Sequence, residues 1–222
     1  MSVSAWAATV TRAITLDEHD RVGVSVGDVV GHGLAGATTM SQLRSALGTA
    51  ALTSLDPTAV IDLLDSYASR VAGTAGSTVA YAVIDAPNET VSYRCAGHPY
   101  PLLVHADRTV TYLKEGRGLP LATGLRGESN PSGRSELRVG SLLVLFTDGL
   151  IERRGESLAV GLQRLADVAA TCARLPAGEV CATLLAAMAP PDGYSDEVAL
   201  VTVRPTGTTP DSFVLALPAE RA

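Results

Sequence analysis

The sequence predicts an α+β fold, with antiparallel sheets layered together and helices on the outside. Two observations carry this. From Ser77 to Leu113, short β-rich runs follow one another with no helical stretch between them, which excludes the alternation of a doubly wound parallel sheet. Stretches with helical spacing come in two pairs, one before these strands and one near the C-terminal end, so helices segregate from sheets.

Taken in order, Arg21–Val26 reads as a strand led into by a hairpin tip bearing Asp17, Glu18 and Asp20. Helices follow at Leu34–Ala51 and Pro57–Val71, the second with Asp56 as its cap and Pro57 in its first turn. Strands are expected at Ser77–Ile84, Thr90–Ala96, Leu102–His105 and Thr109–Leu113. Ala122–Leu137 is rich in Gly and Ser and is expected to be a mobile loop. A strand at Ser141–Thr147 precedes helices at Leu158–Ala173 and Ala177–Met188, the second started by Pro176. A last strand spans Glu197–Arg204; Pro205–Asp211 then reads as a linker, and the remainder as the first strand of another unit.

Composition narrows the function. The 222 residues suffice for one domain with a real core, and 46% are hydrophobic, which argues for a globular protein rather than disorder. A net charge of −6 without a Lys/Arg stripe leaves no footprint for nucleic acid and suits a cytoplasmic protein. Three cysteines without C-x-x-C spacing argue against a zinc site or a disulfide framework, and Cys95 reads as core. No apolar run approaches the ~18 residues of a membrane span. The N-terminus lacks the apolar core of a signal peptide, and its abrupt start suggests a piece of a longer protein.

Gly31, Gly33 and Gly36 spell G-x-G-x-x-G after an apolar run, the literal form of a dinucleotide fingerprint. That reading needs a second parallel strand ending in an acid about 20 residues on. Asp56 is at that distance, but the residues before it are helix-like. A different pattern is better supported. Asp28 ends the first strand, Asp148-Gly149 ends the apolar run Leu142–Thr147, and Asp196 precedes the last strand. Three carboxylates at strand ends can meet at one edge of a sandwich. Such all-oxygen clusters suit Mg²⁺ or Mn²⁺.

The blocks "GDVVGHGLAGATTMSQLRSAL", "AGHPYPLLV", "LVLFTDGLIERR" and "DEVALVTVR" resemble, in order and spacing, the signature blocks of the metal-dependent protein phosphatases, nearest to the bacterial SpoIIE/RsbU-type branch. The resemblance implies a four-layer αββα sandwich of two antiparallel sheets flanked by helix pairs, with residues 1–204 as the phosphatase domain. It implies two Mn²⁺ or Mg²⁺ ions, bridged by Asp28, with the Val29 carbonyl on the second and Asp148 and Asp196 completing the first. Activated water then attacks a phosphoserine or phosphothreonine with no covalent enzyme intermediate. His32, Gly149 and Glu197 would support this set, while His98 reads as a structural turn residue, and Met40 and Leu43 as core.

The same resemblance implies a bacterial sigma-factor partner-switching pathway, with a phosphorylated anti-anti-sigma (STAS-type) protein as substrate. An upstream sensor and a downstream anti-sigma kinase-like ATPase domain, its opening strand within residues 205–222, belong to that picture. One departure leaves an alternative open. Relatives carry an acidic block upstream, and here Trp6 is in register with Ala5 and Ala8 where the acids should be. The second ion then loses an aspartate that helps hold it in relatives, and a catalytically weak signalling or binding module on the same fold stands beside the active phosphatase. Ala122, where relatives often have glycine, is a smaller departure.

Overall fold

The central strands are apolar on both faces because both faces are covered. The computed structural model describes residues 9–17, 21–31, 33–124, 132–194, 196–205 and 213–216. Along the chain run β1 (Thr9–Thr15), β2 (Arg21–Asp28), α1 (Gly33–Ala51), α2 (Pro57–Ala68), β3 (Thr78–Asp85), β4 (Thr90–Ala96), β5 (Leu102–Val104) and β6 (Val110–Tyr112). There follow β7 (Arg117–Gly118), β8 (Gly133–Glu136), β9 (Leu142–Phe146), α3 (Leu158–Thr171), α4 (Ala177–Met188), β10 (Leu200–Pro205) and β11 (Phe213–Ala216). Short 3-10 turns cover Asp148–Leu150 and Cys172–Arg174.

One sheet has the order β1-β2-β3-β4-β7, with β8 also on β4; the other has the order β11-β10-β9-β5-β6. Strands pair antiparallel throughout except for β4 with β7. The layers are read from which residues pack together. On β3, Ala80, Ala82 and Ile84 face β9 residues Leu143 and Leu145 across the sandwich interior. The alternate residues Val79, Tyr81 and Val83 pack under Leu43 and Leu47 of α1 and Ile61 and Leu64 of α2. Leu142, Val144 and Phe146 likewise pack under Leu165 of α3 and Val180 and Leu184 of α4. A strand buried on both sides needs no polar alternation, which is why "LLVLF" is a continuous apolar run. The result is the expected αββα sandwich.

Most element boundaries match the sequence reading, and the exceptions have local causes. Asp56 caps α2 by accepting from the Thr58 amide at 3.0 Å. The helix stops at Ala68 rather than Val71, and the Thr74 hydroxyl, 2.6 Å from the carbonyls of both Ala68 and Val71, shares its proton between them past the helix end. Met40, Leu43 and Cys95 are core, as expected.

Ala122–Leu137 is not loop throughout. Gly133–Glu136 is strand β8 on the edge of β4, followed by the buried Leu137. Both roots of the connecting segment are tied to α2. The Ala122 amide donates to Asp65 Oδ1 at 2.7 Å, and Ser132 Oγ donates to Asp56 Oδ1 at 2.6 Å. Of residues 205–222, those described are Pro205 and Phe213–Ala216. The latter, expected to open a separate unit, pair antiparallel with Thr202–Pro205 as the edge of the second sheet.

Candidate active site

Asp28 is the last residue of β2 and sits in register with Thr9 of β1 and Thr78 of β3. The chain then leaves the sheet through Val29 and Val30 and turns into α1. Gly31 and Gly33 adopt φ of 110° and 69°, where a side chain is strained, while a Cβ at either position would meet open space. The glycines therefore serve the turn. Strand β2 has only antiparallel neighbours, so the βαβ unit of a dinucleotide site is absent here.

Asp148 opens the 3-10 turn directly after β9 and its bounding Thr147. Thr147 is buried and joins this turn to the segment carrying Asp196. Its Oγ1 accepts from the Ala199 amide at 2.9 Å and lies 3.2 Å from the Glu197 carbonyl, and its amide donates to the Ala199 carbonyl. These bonds occupy residues 197–199, so the ladder of β10 starts only at Leu200 rather than Glu197. Gly149 lies against the same segment: a Cβ there would stand 2.5 Å from the Glu197 carbonyl oxygen. Farther back, Tyr194 Oη donates to the Leu185 carbonyl at 2.6 Å, and Arg153 donates to the Met188 carbonyl at 2.9 Å. The approach to Asp196 is thus fastened to α4.

These contacts gather the acids at one end of the sandwich. The Asp28 carboxyl is pushed up from 3.8 to about 6, by burial first and then by the charge of Asp148, with Asp196 and Glu197 adding to it. The Val29 amide, 2.8 Å from Asp28 Oδ1, acts in the opposite direction. Among the described residues, the charges acting on Asp28 in this way are carboxylates. An all-oxygen, electronegative donor set of this kind fits a hard divalent cation. The side chains are not arranged as ligands: among the described residues no three acids close around a common point. Each carboxylate instead accepts from the amide that follows it, Val29, Gly149 and Glu197 respectively, at 2.7–2.9 Å.

Of the remaining candidates, Val29 is buried beside Asp28 and Glu197 is half-buried within the cluster. His32, Ala5, Trp6 and Ala8 lie outside the described residues. His98 is 5% exposed and engaged at both ring nitrogens, Nδ1 with Thr78 Oγ1 at 2.8 Å and Nε2 with the Phe146 carbonyl at 3.1 Å. Burial lowers its pKa to about 4 and keeps it neutral. Thr147, Thr78, Arg153 and Tyr194 escaped the sequence reading. The position of Thr147 between an apolar run and Asp-Gly is the one local signal that pointed to any of them.

Comparison with known proteins bears on the fold and the family. Residues 18–206 match the family described as Stage II sporulation protein E (SpoIIE). The phosphoserine phosphatase RsbU of Bacillus subtilis is 25% identical over 141 residues, covering 63% of this chain and 42% of that protein. Among solved structures, the RsbU and RsbW domains of Rv1364c from Mycobacterium tuberculosis superpose with a TM-score of 0.79 at 31% identity, covering 96% of this chain and 56% of that one. The PP2C phosphatase domain and regulatory fragment of Bacillus subtilis SpoIIE superpose with a TM-score of 0.73 at 14% identity, covering 96% and 60%. The fold is that of the PP2C-type phosphatases. Within that class, the chain belongs to the SpoIIE family. It spans about half or less of the length of RsbU and little more than half of the Rv1364c structure.

Proposed function

We propose that this chain is a Mn²⁺- or Mg²⁺-dependent protein-serine/threonine phosphatase of a bacterial sigma-factor partner-switching pathway. Its substrate is a phosphorylated anti-anti-sigma (STAS-type) protein, it works in the cytoplasm, and it is joined to a sensor upstream and an anti-sigma kinase-like ATPase domain downstream. The observation that carries the reading is the crowding of Asp28 by Asp148, Asp196 and Glu197 at one end of the sandwich. The family match and the names of the relatives support the reaction class.

Asp28, the Val29 carbonyl, Asp148 and Asp196 would hold the ions, and Gly149 lets the two acid-bearing segments approach. A bound divalent ion supplies Lewis-acid activation of water and neutralises phosphoryl charge. The chain contributes position. Asp28 is fixed by the end of β2, Asp148 by its 3-10 turn, and Asp196 by the bonds of Thr147 and Tyr194. His98 is buried and committed at both nitrogens, so it is not free to pass a proton to a leaving group.

A second reading keeps its support from Ala5 and Ala8: a catalytically weak signalling module. Hydrolysis of a phosphate ester by wild type and by Asp148→Asn, with and without Mn²⁺, separates the two. The phosphatase predicts metal-dependent turnover that the variant loses. Equal rates for both proteins would leave the module.

A further inference from the structure

Among the described residues the two sheets share no ladder hydrogen bond, and across the sandwich interior they meet through side chains. Asp28 ends a strand of one sheet, and Asp148 follows β9 of the other. Any ion held by both must span this gap, which strand pairing does not fix.

His98 crosses it. Its Nδ1 partner, Thr78, is the register partner of Asp28, and its Nε2 partner is the carbonyl of Phe146, two residues before Asp148. A carbonyl only accepts, so Nε2 carries the proton. In the neutral ring Nδ1 then accepts from the Thr78 hydroxyl, and one ring serves both sheets with its hydrogen-bonding capacity filled. Its backbone is held as well. The preceding Gly97 amide donates to the Gly118 carbonyl at 2.9 Å, and Gly97, at φ 65°, packs on Pro120. An apolar residue could fill the same volume but could not fix this distance.

We infer that His98, with Thr78 and the Phe146 carbonyl, is a strut that sets the spacing of Asp28 and Asp148, and is therefore a positioning residue for the metal centre. The inference rests on the metal reading above for its functional meaning, while the spacing itself can be tested without metal.

The experiment uses the full 222-residue chain. Mn²⁺ affinity is measured by titration calorimetry for wild type, His98→Gln, Thr78→Val, Thr78→Ser and the His98→Gln/Thr78→Val double variant, with urea unfolding of each metal-free protein alongside. Removing a group that orients metal ligands weakens metal binding by about 10-fold or more. Loss of that size is expected for His98→Gln and Thr78→Val, no further loss in the double variant, and near wild-type affinity for Thr78→Ser, which keeps the hydroxyl. Lowered stability with wild-type Mn²⁺ affinity would make His98 a packing residue and overturn the strut. A second arm measures, without metal, the coupling of Asp28→Asn and Asp148→Asn in wild-type and His98→Gln backgrounds. The strut predicts a smaller coupling when His98 is lost, and an unchanged coupling refutes it. If wild type binds no Mn²⁺, the metal reading falls and the coupling alone decides the strut.

Discussion

Asp28→Asn should stabilise the metal-free protein. Crowding and burial raise the native carboxyl from 3.8 to about 6, so near neutral pH the folded chain holds a charge that the unfolded chain holds more easily. At ~1.4 kcal/mol per tenfold change in acidity, the full penalty is about 3 kcal/mol. Asp28 is only half-buried, and screening by water reduces this to roughly 1–2 kcal/mol. Asparagine keeps the side-chain oxygen that accepts from the Val29 amide and removes the charge. For a chain of this size, that gain corresponds to a melting temperature higher by about 2–8 °C.

The effect has a definite pH dependence. A carboxyl with a raised native pKa binds extra proton in the folded state between 3.8 and about 6, so its contribution is favourable below that window and lost as pH rises through it. The advantage of the variant should be full at pH 7.5 and vanish near pH 4. Urea unfolding in the presence of a chelator, at several pH values, measures it; comparing variant with wild type cancels other titrating groups. Adding Mn²⁺ should reverse the order, because only wild type gains binding energy. A variant no more stable than wild type at pH 7.5, or an advantage indifferent to pH, would refute the convergence of these acids.

Two further expectations follow from backbone geometry. Ala122 sits at φ 55°, a left-handed conformation that costs a non-glycine residue about 1–2 kcal/mol. Ala122→Gly should raise stability by about 0.5–1 kcal/mol after the flexibility of glycine in the unfolded chain is subtracted, read as a shifted urea midpoint at constant slope. Gly149→Ala places a methyl 2.5 Å from the Glu197 carbonyl oxygen, so the Asp196 segment must move. It should cost about 1–3 kcal/mol and weaken Mn²⁺ binding measured by calorimetry.

The legible part of the fold was the part governed by local pattern. β3 and β9 announce themselves because burial on both faces demands continuous apolar runs. β7, two residues long, and β8, in a Gly- and Ser-rich stretch, exist because β4 offers an edge to pair with, a fact that no window of sequence contains. The site divides in the same way. Asp28 and Asp148 follow apolar strands and were visible as acids at strand ends. The partnerships that position them join residues about 20 to 50 apart: Thr78 with His98, His98 with Phe146, and Thr147 with Glu197. Thr and His are ordinary residues until the fold brings their partners to them.

The helix pair over one sheet and the helix pair over the other belong to separate apolar clusters, with the shared interior between them. A substitution in α1 or α2 therefore has no packing neighbour in α3 or α4 that must change with it. Each outer layer is free to drift in composition on its own evolutionary clock, as long as the inner strands keep their residues. That modularity gives a physical reason why a SpoIIE structure sharing 14% of its residues still superposes on this chain with a TM-score of 0.73.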